Sequence, residues 1–200
     1  MAKKIKSTFL TMSLVLFVVA LVASSLLSLV YKVTKEPIEK AEQDKKEKAI
    51  KIVVPEFDNS PFKEVYKIAS LDGDSLTCFP AKKGDEIVGI AIETYTDRGF
   101  TGKFTVMVGF LPDGTIYNSA VLSHQETPGL GDKMSITKSD WCEQFYELNV
   151  PEINDKDNDG ILIEVTKDGG EVDAITAATI SSRAYCDALE RAYNAYMNQK

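Results

Sequence analysis

Two hundred residues, 44% hydrophobic and 26% charged, suit one globular domain plus one extra element rather than two full domains. The net charge of −7 comes from 23 Lys plus Arg against 30 Asp plus Glu, with no basic patch, and excludes nucleic acid as the main partner because phosphate binding needs concentrated positive charge. A single histidine, His124, excludes a histidine zinc cluster, and no Gly-x-Ser-x-Gly or P-loop string occurs.

The extra element comes first in the chain. Ser7 to Tyr31 holds no charged residue and is apolar around its whole circumference. As a helix this stretch rises about 37 Å, enough to cross a hydrocarbon core of about 30 Å with some tilt. A cleaved signal peptide is the competing reading, through the small residues of Ala20-Leu21-Val22-Ala23-Ser24. The apolar run continues past that point to Leu29 and Val30, which favours an uncleaved anchor at residues 7–31. Lys3, Lys4 and Lys6 precede it, against Lys32 and Lys35 after it, so residues 1–6 are expected to be a cytoplasmic tail and the rest to lie outside.

Residues 32–55 read as a charged helical stalk. Glu36 with Lys40, Glu42 with Lys46, Asp44 with Lys48 and Glu47 with Lys51 each set an acid four residues before a base. Thr34 is the expected cap, Pro37 falls in the first turn and Pro55 ends the helix. The same segment also reads as a surface helix resting on the domain through Ile38, Ala41 and Ile50.

Residues 56–200 form the domain, read as short strands broken by turns. Strands are predicted over Glu64–Ser70, Ser75–Phe79, Glu86–Tyr95, Gly102–Leu111 and Thr115–Leu122, from alternation and β-branched or aromatic content. Leu71-Asp72-Gly73-Asp74 and Pro112-Asp113-Gly114 supply turns, and Ile161–Thr166 with Glu171–Ile175 is expected as a last strand pair around Gly169-Gly170. A short helix is predicted at Ser139–Leu148, capped by Ser139, with Trp141, Phe145 and Leu148 on one face. The terminal helix runs from Ser181 with an apolar stripe of Ala184, Ala188, Leu189, Ala192, Tyr193 and Tyr196. The class is α+β, a mostly antiparallel sheet with packed helices behind an N-terminal transmembrane helix.

Cys78, Cys142 and Cys186 stand in no CxxC or zinc spacing; one disulfide with a leftover thiol and three buried thiols both satisfy the sequence. Asp155-Lys156-Asp157-Asn158-Asp159-Gly160 has the first half of a calcium loop, which would make the domain a non-redox binding module. Its twelfth position is Thr166 where a bidentate glutamate belongs, and Glu164 comes early, which favours a polar turn.

Two loops carry the chemistry. In His124-Gln125-Glu126-Thr127-Pro128-Gly129-Leu130-Gly131-Asp132, two glycines around one leucine can bring backbone N–H groups close to a flat ligand; taken alone the segment is also a wide turn. In Asp173 to Ser182, small residues and the hydroxyls of Thr176, Thr179, Ser181 and Ser182 stand where a strand hands over to a helix N-terminus, a place that favours phosphate and equally an N-cap with spare hydroxyls.

Together these loops resemble the G subunits of the Rnf electron-transport complexes, and more broadly the membrane-anchored domains that carry flavin mononucleotide (FMN) as a threonine phosphoester. The resemblance covers nearly the whole chain: anchor, stalk, Gly99 to Gly102, the Asp113-Gly114 turn, the Glu-Thr-Pro-Gly-Leu-Gly string from Glu126 to Gly131, Trp141 with Phe145, and the threonine loop. In the family that loop reads Ser or Thr, Gly, Ala, Thr, any residue, Ser or Thr, and its threonine carries the flavin phosphate; the matching residue is Thr179. Ala177 stands where glycine is usual. The resemblance implies a covalent FMN held by Glu126, Thr127, Gly129, Leu130, Gly131, Lys133, Thr176, Ala177, Ala178 and Ser181. Glu126 and Thr127 would bond the ring edge, Leu130 would pack on its face, and Lys133 would meet its reduced form.

It further implies a carrier without turnover of its own. The carrier would sit in the bacterial cytoplasmic membrane, work with the other components of an ion-translocating ferredoxin:NAD oxidoreductase, and be matured by a separate flavin transferase. The C-type component of the sodium-pumping quinone reductase is the alternative within the same class, and the chain is short for it.

Overall fold

A computed structural model describes residues 8–150 and 162–199 of the chain. The tail lysines Lys3, Lys4 and Lys6 and the Asp155–Gly160 segment lie outside the described residues. Two compact units divide between Asp44 and Lys45, within the stretch expected as the stalk.

One helix, α1, runs through Phe9–Val53. In the unit up to Asp44 its large apolar side chains, Phe9 to Val33, are exposed, and it is the one helix among the described residues long and apolar enough to cross a membrane. Two serine hydroxyls in this part are satisfied by the helix itself: Ser24 and Ser25 donate back to the Leu21 carbonyl at 3.1 and 2.7 Å. Thr34 does the same toward the Val30 carbonyl at 2.8 Å, so it is an interior residue and not the expected N-cap. No turn signal separates anchor from stalk, and Pro37 sits inside a continuous helix. Of the expected acid–base pairs, Glu47 with Lys51 is formed at 3.0 Å, while Lys46 reaches Glu93 at 2.7 Å instead of Glu42.

The second unit holds a five-stranded antiparallel meander: β1 Tyr66–Ala69, β2 Ser75–Lys83, β3 Glu86–Thr96, β4 Phe104–Phe110 and β5 Ile116–Ser123, side by side in chain order. Alternation decides what each face buries. Leu76, Cys78, Ile92, Val106, Val108 and Phe110 face one core with the C-terminal helix α2, Thr179–Gln199. Phe79, Ala81, Ala91 and Met107 face the other, against Ala49, Ile50 and Val53 at the end of α1 and Val54 just after it. Each fully buried large aliphatic side chain here contributes about 1.5–3 kcal/mol. Ile50 therefore rests on the domain, whereas Ile38 and Ala41 are exposed. The close approach needs Gly109, where a Cβ would lie 1.6 Å from the Val53 carbonyl oxygen.

Two further sequence expectations change within the domain. The Ser139–Leu148 helix is a single short 3-10 segment, Trp141–Phe145, preceded by Ser139, whose hydroxyl donates to the Lys133 carbonyl at 2.6 Å and accepts the Trp141 N–H. A short segment carrying Trp, Phe and Tyr has low helix propensity, and anchoring by tertiary contacts prevails. The last strand pair is one parallel bridge, Val165 to Val172, closing a 3-10 turn at Thr166–Asp168. All three cysteines are free and buried.

Register places the site. Thr96 pairs with Phe104 and Thr105 with Ser123, so the β3–β4 loop and the loop after β5 leave the same end of the sheet. Helix α2 is pinned to β3 by Thr94 Oγ1 donating to the Ala188 carbonyl at 3.0 Å and Thr96 Oγ1 donating to Asp187 at 2.7 Å.

Candidate functional site

At this end of the sheet three loops converge on Glu126. Its carboxylate, 4% exposed, accepts the Thr101 N–H and hydroxyl at 3.2 Å each through Oε1, and the Ser181 hydroxyl at 2.6 Å through Oε2. One side chain thus joins the β3–β4 loop, the loop after β5 and the first turn of α2. Hydrogen bonds to a charged acceptor are worth more than neutral ones, and buried polar groups without partners are costly, so this junction fixes the loops. Gly131 is part of its geometry: a Cβ there would meet Ser181 Oγ at 2.5 Å and Glu126 Oε2 at 2.6 Å.

The threonine loop is held from both sides. The Ile175 carbonyl accepts the Ala178 N–H at 2.9 Å to close a turn, and Ser182 Oγ receives the Ile175 N–H at 2.9 Å. Ala177, inside that turn, has φ +62°, the left-handed region where an L side chain is penalised and glycine is not. The segment entering the loop is tied by Gln144, whose Oε1 accepts the Asp173 N–H at 2.8 Å, and by the Trp141 indole N–H donating to the Asp173 carbonyl at 2.5 Å. Helix α2 begins at Thr179, and the N–H groups of Thr179, Ile180 and Ser181 have no partner among the described residues.

Between these loops lies a cavity of about 330 Å³ lined by Phe100, Glu126, Thr127, Leu130, Gly131 and residues 177–181. Of the residues singled out from sequence, Glu126, Thr127, Leu130, Gly131, Ala177, Ala178, Thr179 and Ser181 come together here. Gly129 stays in the same loop with φ +79°, while Thr176 is exposed and Lys133 half-buried, neither of them on the cavity wall. The carboxylate of Glu126 is turned to Thr101 and Ser181, so its visible work is to hold the loops. Phe100 and Ile180, 65% and 49% exposed, give the rim an apolar character that no local sequence pattern marks. A larger cleft of about 470 Å³, lined by Ile52, Asn118, Ser119, Ile136, Cys142, Glu143 and Tyr146, shares none of these residues.

The hydroxyl of Thr179 accepts a hydrogen bond from Lys167 Nζ at 3.1 Å. The neighbour of Lys167, Asp168, forms a two-point ion pair with Arg183, at 2.6 Å to both Nε and Nη2, and that guanidinium holds its carboxyl below the usual range. Burial pushes the thiols of Cys78 and Cys186 up to about 12 and raises that of Cys142, which leaves all three as neutral packing groups rather than nucleophiles.

Residues 99–194 match the model of the FMN-binding domain, and residues 1–53 match that of the RnfG N-terminal region. The G subunit of the ion-translocating oxidoreductase complex of Shewanella piezotolerans is 34% identical, over 97% of this chain and 92% of its own length. The chain belongs to this RnfG family. The corresponding G subunits of Vibrio cholerae, 34% identical over 93% of this chain and 88% of theirs, and of Cereibacter sphaeroides, 32% identical over 95% and 85%, agree with the assignment. In this member of the RnfG family, the N-terminal match falls on the apolar helix, and the FMN-binding match falls on the later strands, the loops and α2. The crystal structure of Shewanella oneidensis NqrC shares the fold at a TM-score of 0.50 and 20% identity, covering 73% of this chain and 68% of that one.

The residues present fit an FMN. A cavity at the lower end of the usual ligand-pocket range, apolar at its rim, can cover part of a flat ring while leaving an edge open. The free N–H groups at the start of α2 suit its phosphate.

Proposed function

We propose that this chain carries FMN joined by a phosphoester to Thr179. It would relay electrons within a membrane complex that couples ferredoxin oxidation to NAD reduction and ion translocation. The observation that carries this reading is the place of Thr179: a residue lining an apolar-rimmed cavity, at the first turn of a helix whose leading N–H groups have no partner among the described residues. When bound, the flavin supplies reversible electron exchange; the protein supplies position. Phe100, Leu130 and Ile180 offer apolar surface, Glu126 locks the three loops, and α2 directs partial positive charge at the phosphate.

A covalent tether retains the cofactor in an open compartment, which agrees with α1 as an anchor, the short N-terminus on the cytoplasmic side and the domain outside the inner membrane. Other membrane subunits would surround it, lipid would cover the exposed apolar part of α1, and a separate flavin transferase would form the ester.

Intact-mass measurement of the full chain, co-produced with a flavin transferase and followed by peptide mapping, tests the reading. A gain of one FMN less one water on the Thr179 peptide is expected, and Thr179→Val should abolish it with the fold retained. A modification that persists in Thr179→Val, or none on the wild-type chain beside a modified control domain, would overturn the assignment.

A further inference from the structure

We propose that Lys167 is the positioning residue that receives the phosphoryl group at Thr179, acting as its counter-cation while the ester forms and afterwards; this rests on the reading of Thr179 as the attachment residue. A threonine hydroxyl has one hydrogen and two acceptor lone pairs. Lys167 Nζ, 3.1 Å away, occupies one lone pair from the side of the Thr166–Asp168 turn. The other lone pair and the hydrogen stay available for chemistry. In ester formation that lone pair attacks the FMN phosphorus of a flavin dinucleotide donor, the bond from this phosphorus to the leaving nucleotide breaks, and the hydroxyl proton passes to a base on the transferase. No electrons are exchanged between oxidant and reductant. The phosphoryl oxygens end close beyond Oγ1, within range of an ammonium on a flexible four-carbon stem.

Two cations flank Thr179, and their surroundings differ. Arg183, four residues on in α2, is spent on Asp168 through two hydrogen bonds of 2.6 Å. That pair has a second consequence, because it staples the turn carrying Lys167 to α2. Gly170 closes the approach from the other side: a Cβ there would meet the Glu164 carbonyl oxygen at 2.2 Å, so the backbone returns tightly past the turn. An exposed lysine is thereby held at one hydroxyl by its backbone rather than by its own side-chain packing. The N–H groups of α2 meet the phosphate from the helix side, and Lys167 meets it from the turn. A surface lysine that merely grazes a hydroxyl would be interchangeable with glutamine; one that serves a phosphate is interchangeable with arginine alone.

The test uses the full chain in detergent with a flavin transferase and its dinucleotide, comparing wild type with Lys167→Arg, Lys167→Gln and Lys167→Glu. The initial rate of FMN incorporation is read by intact mass, and the loaded proteins are compared by their phosphorus NMR resonance. Lys167→Gln should incorporate about tenfold more slowly, as loss of one charge-assisted hydrogen bond implies, with a shifted resonance. Lys167→Glu should be slower still, Lys167→Arg should remain within about twofold of wild type, and melting temperatures should be equal. Wild-type rate and resonance in Lys167→Gln and Lys167→Glu would overturn the role of Lys167 and leave Thr179 standing. Equal losses in Lys167→Arg and Lys167→Gln would overturn it too, pointing to recognition of the lysine's shape by the transferase. An unmodified wild-type chain would overturn this proposal together with the attachment reading.

Discussion

Replacing Ala177 by glycine should stabilise the domain, against the usual direction for glycine. Ala177 has φ +62°, and an L residue in that region gives up about 1–2 kcal/mol that glycine does not. Glycine gives back about 0.4–1 kcal/mol through the greater freedom of the unfolded chain. The methyl group is exposed, so little apolar burial is lost with it. The balance runs from about zero to about 1.6 kcal/mol and centres on a gain of about 0.8 kcal/mol, equivalent to a rise of roughly 2–3 °C for a domain of this size. Urea unfolding of the full chain in detergent reads it directly, because Trp141 is the single tryptophan and packs edge-on against Phe145 and Tyr185, with its indole tied to the Asp173 carbonyl. A midpoint raised at constant slope is expected, and Ala177→Val should lower it. A midpoint reduced in Ala177→Gly would show that the turn does not hold this residue in the left-handed region.

Gly109→Ala should cost about 3 kcal/mol or more, since its Cβ would lie 1.6 Å from the Val53 carbonyl oxygen and drive the end of α1 off the sheet; denaturant midpoints measure this, and a loss under about 1 kcal/mol would refute the contact. Glu126→Ala should destabilise by about 2–3 kcal/mol and increase proteolysis in the β3–β4 loop, while Glu126→Gln, which keeps an acceptor and a donor for Thr101 and Ser181, should lose less than half of that; equal losses in the two variants, by denaturant midpoint, would contradict the junction. The three thiols should resist a disulfide reagent in the native protein and react fully in denaturant. For a thiol whose folded value is raised, the stabilising contribution is whole below the ordinary thiol range and is lost as pH climbs from about 9 toward the folded value of about 12. Alkaline melting curves that stay flat would contradict that burial.

The strands are legible because their residues alternate: Val106, Val108 and Phe110 against Met107 is a pattern that a sheet with two covered faces satisfies. The apolar helix is legible because no soluble core needs 25 uncharged residues in line, Ser7 to Tyr31. The 3-10 segment at Trp141–Phe145 suggests a longer helix from sequence, since the contacts that hold Trp141, to Asp173 and Tyr185, come from residues more than thirty positions away. Phe100, Gln144 and Lys167 escape a linear reading for the same reason: nothing in a β3–β4 loop, a 3-10 segment and a 3-10 turn marks them as parts of one site around the threonine loop.

By itself the sequence determined the order of the five strands and the terminal helix, the membrane-competent helix, the family through the Glu126–Gly131 string and the threonine loop, and the unusual alanine at 177. These are local properties, written in hydrophobic period, in turn residues and in contiguous motifs. Tertiary structure alone decided that Glu126 is buried between Thr101 and Ser181, that Ala177 adopts a glycine-like backbone, that Gly109 admits the end of α1, and that Lys167 rather than Arg183 stands at the hydroxyl. Each of these depends on which distant backbones approach within a few ångströms. That distance is set by the register of the sheet and the seating of α2, which no stretch of sequence contains on its own.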